Sequence, residues 1–317
     1  MQKSSVYLYL SLGIMALCIA NLKMGAVDLA WHELWQPSDS AHQFTLYDYR
    51  LPRVLLALMV GAFLGASGAL VQGVVRNSLA SPDILGISHG AGLAAVFFML
   101  YMPNGSVYLL PWVALVGGLV AAGVLLVFCR RLHKPIEFAL TGVALAALLG
   151  SVIDFLMLTQ KVDINQALLW LTGSLWARGW TQVTLLLPWC LLLPVAISCS
   201  KRLDLYAIGD EKAINLGVKV NKTRLGVLLL AVLLTSVSVA VCGPLAFLGL
   251  VSPHIARRLV GGNHFQLIAV SMLVGSLLLL FADLLARNIS PPLDIPAGIM
   301  TALLGAPYFL YLLSKMK

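Results

Sequence analysis

The sequence predicts an all-α integral membrane protein of about ten transmembrane helices, and three observations carry that expectation. Sixty per cent of the 317 residues are hydrophobic and only 11% are charged, with a mean hydropathy of +0.93, which no soluble single-core domain of this length would carry. The apolar residues fall into runs near the roughly 20 residues needed to cross about 30 Å of hydrocarbon. The net charge of +8 sits in short basic clusters between those runs, the pattern of cytoplasmic loops beside a lipid bilayer, so nucleic acid is not needed to explain it.

In order, the expected spans run from Val6 to Leu22, Arg53 to Val75, Ile84 to Met102, Leu109 to Cys129, Ile136 to Leu158, Val183 to Ile197, Leu225 to Val241, Leu245 to Leu259, Leu267 to Leu285 and Ile295 to Leu313. The eighth is short and interrupted by Pro253. A cleaved leader is the alternative for the first span, because Cys18 follows Met15-Ala16-Leu17 somewhat as a lipoprotein cysteine would. Leu17 stands where a small residue is needed, so an uncleaved helix is expected. With a cytoplasmic N-terminus, fifteen of the 21 Lys and Arg residues lie inside and six outside, and an even number of spans puts both termini in the cytoplasm.

In the second span Gly61, Gly65, Gly68, Gln72 and Arg76 follow at helical spacing and share one stripe. Small residues on one face let a neighbouring backbone approach, so this helix is expected to pack against protein. It ends in a polar turn, Arg76 to Asp83, where a gate could sit.

Two outer segments are long. Met24 to Pro52 holds Trp31, Trp35, Tyr47 and Tyr49, an interfacial aromatic belt, and ends near Arg50 and Arg53. Gln160 to Thr181 reads as a helix at the outer face anchored by Trp170, Trp176 and Trp180. On the inner side, Lys201 to Arg224 alternates Leu205, Ile208, Ala213, Leu216 and Val218 with charges, as one or two amphipathic helices broken at Gly209 and Gly217 would. A solvated tether is the bland alternative; the apolar stripe favours a docked partner.

Enzymatic readings are weak. Gly65-Ala66-Ser67-Gly68 matches the serine environment of intramembrane proteases, with His89 or His254 as a conceivable base, but the small-residue stripe explains Ser67 more simply. His32-Glu33 lacks the second His of a zinc helix, the five cysteines show no CxxC spacing, and no cofactor or protein metal site is implied. An ion-coupled carrier would place ionisable residues at mid-membrane, whereas Asp154 and Asp283 fall near span ends. A GxxxxGK[ST] phosphate loop is absent, so an ATP-driven carrier would need a separate ATPase on the Lys201 to Arg224 segment.

Six ordered motifs carry a resemblance: RLPR at Arg50 to Arg53, SGALVQGVVRNSLASPDILG from Ser67, LTGVAL from Leu140, AIGDEKAINLGV from Ala207, GPLAFLGLVSPHIARR from Gly243 and LDIPAGIMTALLGAPYFLYLL from Leu293. Together they resemble the FecCD family, permease subunits of ATP-binding-cassette importers for iron-siderophore complexes and vitamin B12. NQALLWLTGSLWARGW from Asn165 and His89 after DILGIS are most similar to the ferric citrate branch. Ser78 departs from the family, which usually has Pro after Arg-Asn.

The resemblance implies a type II ABC importer permease (BtuC-like) fold. It implies a single transmembrane permease domain over residues 1–317, with a cytoplasmic coupling segment at about 201–224, in the bacterial inner membrane. The implied partners are a second permease subunit of the FecC type, two ATP-binding subunits and a periplasmic substrate-binding protein. Arg50, Arg53 and Arg287 would receive acidic residues of the binding protein. Asn77 and Leu79 would form the cytoplasmic gate, with the Lys134 to Glu137 turn as a helper. Leu205, Ile208, Gly209, Asp210, Asn215, Leu216 and Gly217 would contact the ATPase. The cargo would be iron(III) dicitrate, with another siderophore or cobalamin as the alternative, and citrate rather than the permease would ligate the iron.

Overall fold

The computed structural model describes residues 3–27, 29–35, 37, 39–102, 105–128, 135–159, 164–291 and 293–315. Among them there is no strand. The helices are α1 (Lys3–Lys23), α2 (Ser40–Gln43), α3 (Leu51–Val75), α4 (Ile87–Tyr101), α5 (Leu110–Phe128), α6 (Pro135–Thr159), α7 (Ile164–Leu171), α8 (Trp180–Leu186), α9 (Leu192–Ser198), α10 (Ser200–Ala207), α11 (Asp210–Asn215), α12 (Val220–Cys242), α13 (Leu248–Val260), α14 (His264–Asn288) and α15 (Ala297–Lys315).

Every expected span meets helix. Among the described residues, seven helical stretches are long and apolar enough to cross a membrane, including Ser40–Val75 and the run Trp180–Ala207, while Ile87–Tyr101 and Ala297–Leu312 are shorter apolar helices. The 13 residues of α13 rise only about 20 Å, too little for a full crossing. Helix ends follow local chemistry. Gly243 and Gly261 stop α12 and α13 at φ 74° and 86°, and the Asn263 side chain accepts from the Phe265 amide at 3.0 Å to start α14.

The core is built around α3, which packs against α12, α13 and α14. The small-residue stripe explains how. A Cβ on Gly61 would lie 2.5 Å from the Gly275 carbonyl oxygen, and one on Gly68 would lie 1.8 Å from that of Gly249. Farther along the same face, Gln72 Nε2 donates to the Leu250 carbonyl at 3.3 Å. α1 joins this core through Asn21, whose Nδ2 donates to the Leu280 carbonyl of α14 at 3.1 Å. By contrast α6 turns Leu140, Val143, Leu148, Phe155 and Leu158 outward, an apolar face suited to lipid or a neighbouring membrane helix.

Two expectations need correction. Trp170, on α7, is buried in the core, while Trp176 and Trp180 are exposed, so the aromatic residues of this segment divide between packing and surface. Ala213, expected on the outward stripe of the 201–224 segment, is fully buried, and Ile214 takes the exposed place. Gly209 at φ 114° starts α11 in a new direction, which rotates the phase that periodicity alone carries across the break.

Candidate functional site

One end of the bundle gathers the turn after α3 and the segment α10 to α11. α3 stops at Arg76, whose backbone is left-handed at φ 54°. Asn77 Oδ1 then accepts from the Leu79 amide at 2.9 Å, and the Asn77 carbonyl accepts from the Ala80 amide at 3.1 Å. This Asx turn fixes the loop through the Asn77 side chain, so the shape does not depend on a proline at position 78. Asn77 is exposed and Leu79 half-buried. The chain continues through a short 3-10 helix, Asp83–Leu85, where Asp83 Oδ1 accepts from Ser88 Oγ at 2.7 Å. Residues 129–134 lie outside the described residues, and the side chains of Pro135 to Glu137 are likewise undescribed, so the helper turn expected there stays an expectation.

α10 and α11 fold against this turn. Leu203 and Tyr206 of α10 are buried, and Tyr206, Ala213 and Val220 form a small apolar cluster that fastens the segment to α12. Asp204 accepts from both the His264 amide, at 3.0 Å, and its ring Nδ1, at 2.6 Å, which ties α10 to the start of α14. The outer side carries Leu205, Ile208, Ile214 and Leu216 at 37%, 49%, 59% and 60% exposure. Asn215 and Gly217 are exposed beside them, and Gly209 and Asp210 are half-buried. A surface of four large apolar side chains framed by Lys212 and Glu211 is what a docked protein would cover.

The turn and the segment share more than proximity. Arg76 Nη2 donates to the Tyr206 carbonyl and to Asp210 Oδ1, both at 2.5 Å, and its guanidinium lies 3.9 Å from the centre of the Tyr206 ring. Gln72, Arg76, Asn77, Arg257 and His264 line one polar cavity between them. Sequence reading missed Arg76 as a link because its partners lie 130 and 134 positions away; its place at the end of the stripe was the only signal.

The three outer arginines cluster at the opposite end and are buried. Arg50 Nη1 donates to the Leu22 and Lys23 carbonyls at 2.7 and 2.6 Å, and its Nη2 donates to the Val27 carbonyl. Arg53 Nη2 lies 2.8 Å from Asp283 Oδ1 and its Nη1 donates to Asp294 at 2.9 Å and Tyr49 at 3.0 Å. Arg287 donates to the Asn21 carbonyl and side chain at 2.9 and 2.7 Å. All three hold these ends of α1, α3 and α14 together. An acidic partner would compete with these internal acceptors.

Other candidates resolve plainly. Ser67 Oγ donates to the Ala231 carbonyl at 2.8 Å and lies 2.7 Å from Thr235 Oγ1, both on α12, so its hydroxyl serves helix packing. His254 instead sets its ring edge toward Tyr308. Asp283 is paired with Arg53, and Asp154 is exposed on α6. Among the described residues no three His, Cys, Asp or Glu side chains converge as a metal site would need.

Against this geometry the comparisons fall into one group. The FecCD transport family matches residues 13–315. The Fe(3+) dicitrate transport system permease protein FecD of Escherichia coli (strain K12) is 49% identical over 319 residues, covering 99% of this chain and 100% of that protein. The Fe(3+)-citrate import system permease protein YfmE of Bacillus subtilis (strain 168) is 48% identical over 277 residues, covering 87% and 83%. A solved metal-chelate type ABC transporter in an inward-facing conformation superposes with a TM-score of 0.89 at 30% identity, over 98% of this chain and 99% of that one.

Proposed function

The chain belongs to the FecCD transport family, and from that premise we propose that it carries iron(III) dicitrate across the bacterial inner membrane as one permease of an ATP-binding-cassette importer. The observation that carries the substrate is the near-complete, near-equal likeness to two ferric citrate permeases. The iron travels as cargo within its citrate shell, so the permease's work is to open one end of a path while closing the other.

In this reading both termini and the α10 to α11 segment face the cytoplasm, and one of the two ATP-binding subunits docks on Leu205, Ile208, Ile214 and Leu216. The turn at Asn77 and Leu79 constricts the inner end. A second permease subunit packs alongside, for which the outward face of α6 is one available surface. A periplasmic binding protein delivers cargo at the end held by Arg50, Arg53 and Arg287. Deleting the gene and measuring uptake of labelled iron tests the substrate: uptake with citrate should vanish while uptake with a catecholate siderophore persists. Loss of catecholate uptake alone would overturn the assignment.

A further inference from the structure

We propose that Asp210 and Arg76 form the link through which the ATPase-facing helix α11 moves the gate turn, with Arg224 as the second partner of the same carboxylate; this rests on the transport reading above. α11 is only six residues long and hangs between Gly209 and Gly217, both in left-handed backbone with open space where a Cβ would stand. Such a helix can tilt about its buried Ala213, because neither flanking glycine is wedged. Its outward side offers Ile214, with Leu216 just past its end, and its first residue is Asp210.

That carboxylate divides itself between two elements. Oδ1 accepts from Arg76 at 2.5 Å and Oδ2 from Arg224 at 3.3 Å. Arg76 is the last position before Asn77 and Leu79, whereas Arg224 belongs to the first turns of α12. Both guanidiniums also lie over the one Tyr206 ring, at 3.9 and 5.1 Å from its centre. Two cations on one ring repel unless an anion stands between them. Arg224 is buried, and its Nε and Nη1 have no hydrogen-bond partner among the described residues, so it has donors in reserve. A small rotation of α11 would therefore lengthen the short Arg76 bond as it shortens the one to Arg224, leaving Arg76 held by the Tyr206 carbonyl. One carboxylate serves both guanidiniums, one oxygen each, so what tightens one bond loosens the other.

The test uses the whole importer, this chain with its partner permease and ATPase, purified and reconstituted in proteoliposomes, with ferric citrate as the cargo. Arg76→Gln and Asp210→Asn should each lower the amount of cargo moved per ATP hydrolysed by about tenfold, the size of a typical coupling between sites. The two together should be no worse than either alone, since each breaks the same bond. Additive losses or an unchanged ratio in the single variants would overturn the link. So would loss of the ATPase from the complex on Asp210→Asn, which would make Asp210 a docking contact. An unaltered chain that retains no ATPase would overturn the transport reading, and the link with it.

Discussion

Gly65 and Ser271 meet so closely that a Cβ on the glycine would lie 2.1 Å from the Ser271 carbonyl oxygen. Helices α3 and α14 thus touch backbone to backbone, a contact that a bilayer rewards through packing rather than through expulsion of water. Gly65→Val should force them apart and cost about 3 kcal/mol or more, the upper range for overpacking. Gly123→Val, on a surface where a Cβ meets nothing within 4 Å, should change little. Thermal unfolding of the two variants in detergent compares them directly, and equal midpoints would contradict the tight contact.

Arg53 and Asp283 form a pair in which both side chains are 1% exposed. Asp283→Ala would leave the guanidinium buried with its main counter-ion gone, a loss of about 3–5 kcal/mol. Replacing both, Arg53→Met with Asp283→Leu, removes that stranded charge but leaves Arg287, 3.5 Å from Asp283, without its carboxylate, so it should recover only part of that loss. Chemical unfolding in detergent reads the difference, and a double variant as unstable as Asp283→Ala would show that the pair does more than neutralise itself.

These two contacts mark the boundary of what the sequence made legible. The spans were readable because hydropathy and helical spacing are local, and the stripe of Gly61, Gly65 and Gly68 announced a close neighbour without saying which one. The neighbour, Gly249 or Ser271, lies some 200 positions away and no local pattern points to it. The outer arginines illustrate the same limit: charge counting singles out Arg53 as unusual, but only the fold brings Asp283 and Asp294 to it. At the other end, Gly209 was visible as a helix break, yet the direction in which α11 restarts decides that Ala213 is buried and Ile214 exposed.

The turn proposed as the gate offers a sharper test of role. Asn77 Oδ1 holds the Leu79 amide, one neutral hydrogen bond with a net worth of about 1 kcal/mol, or roughly a fivefold shift in an opening equilibrium. Asn77→Ala should raise leak of ferric citrate from loaded proteoliposomes without ATP by about that factor, and adding Leu79→Ala should raise it further. Asn77→Asp keeps the acceptor and should stay sealed. Leak unchanged in all three would move the constriction elsewhere.

Acid should loosen the segment before α2. Glu33 Oε2 accepts from the Ala30 amide at 2.7 Å and Oε1 lies 2.7 Å from His42 Nδ1; the amide first, then the ring, hold its carboxyl below the ordinary 4.5. A carboxylate with a depressed value stabilises the fold above the ordinary value and loses that contribution as pH falls through the depressed one. Hydrogen exchange over residues 29–43, corrected for its intrinsic rate, should therefore rise below about pH 4. In Glu33→Gln the rise should disappear, and a rise that persists there would assign the transition to another group.

The last prediction concerns the outer arginines, where two demands meet. Docking of an acidic binding protein favours Arg, because its planar fork can bond a carboxylate bidentately. Yet Arg50 already donates to three carbonyls at the end of α1, so a partner carboxylate must displace or share these. Main-chain carbonyls carry only partial charge, and an incoming carboxylate is the stronger acceptor, which makes the exchange physically accessible at this end of the bundle. Arg50→Glu should then slow association of the binding protein at low salt and flatten its salt dependence, since charges at an interface rim act chiefly on encounter. A compensating Glu→Arg change on the binding protein should restore the rate. Arg53 is a poorer probe, because reversing it also strands Asp283 and would lower stability by itself. If Arg50→Glu lowers the thermal midpoint but leaves association at low salt untouched, the arginine straps α1 to the core and docking belongs to other residues of the rim.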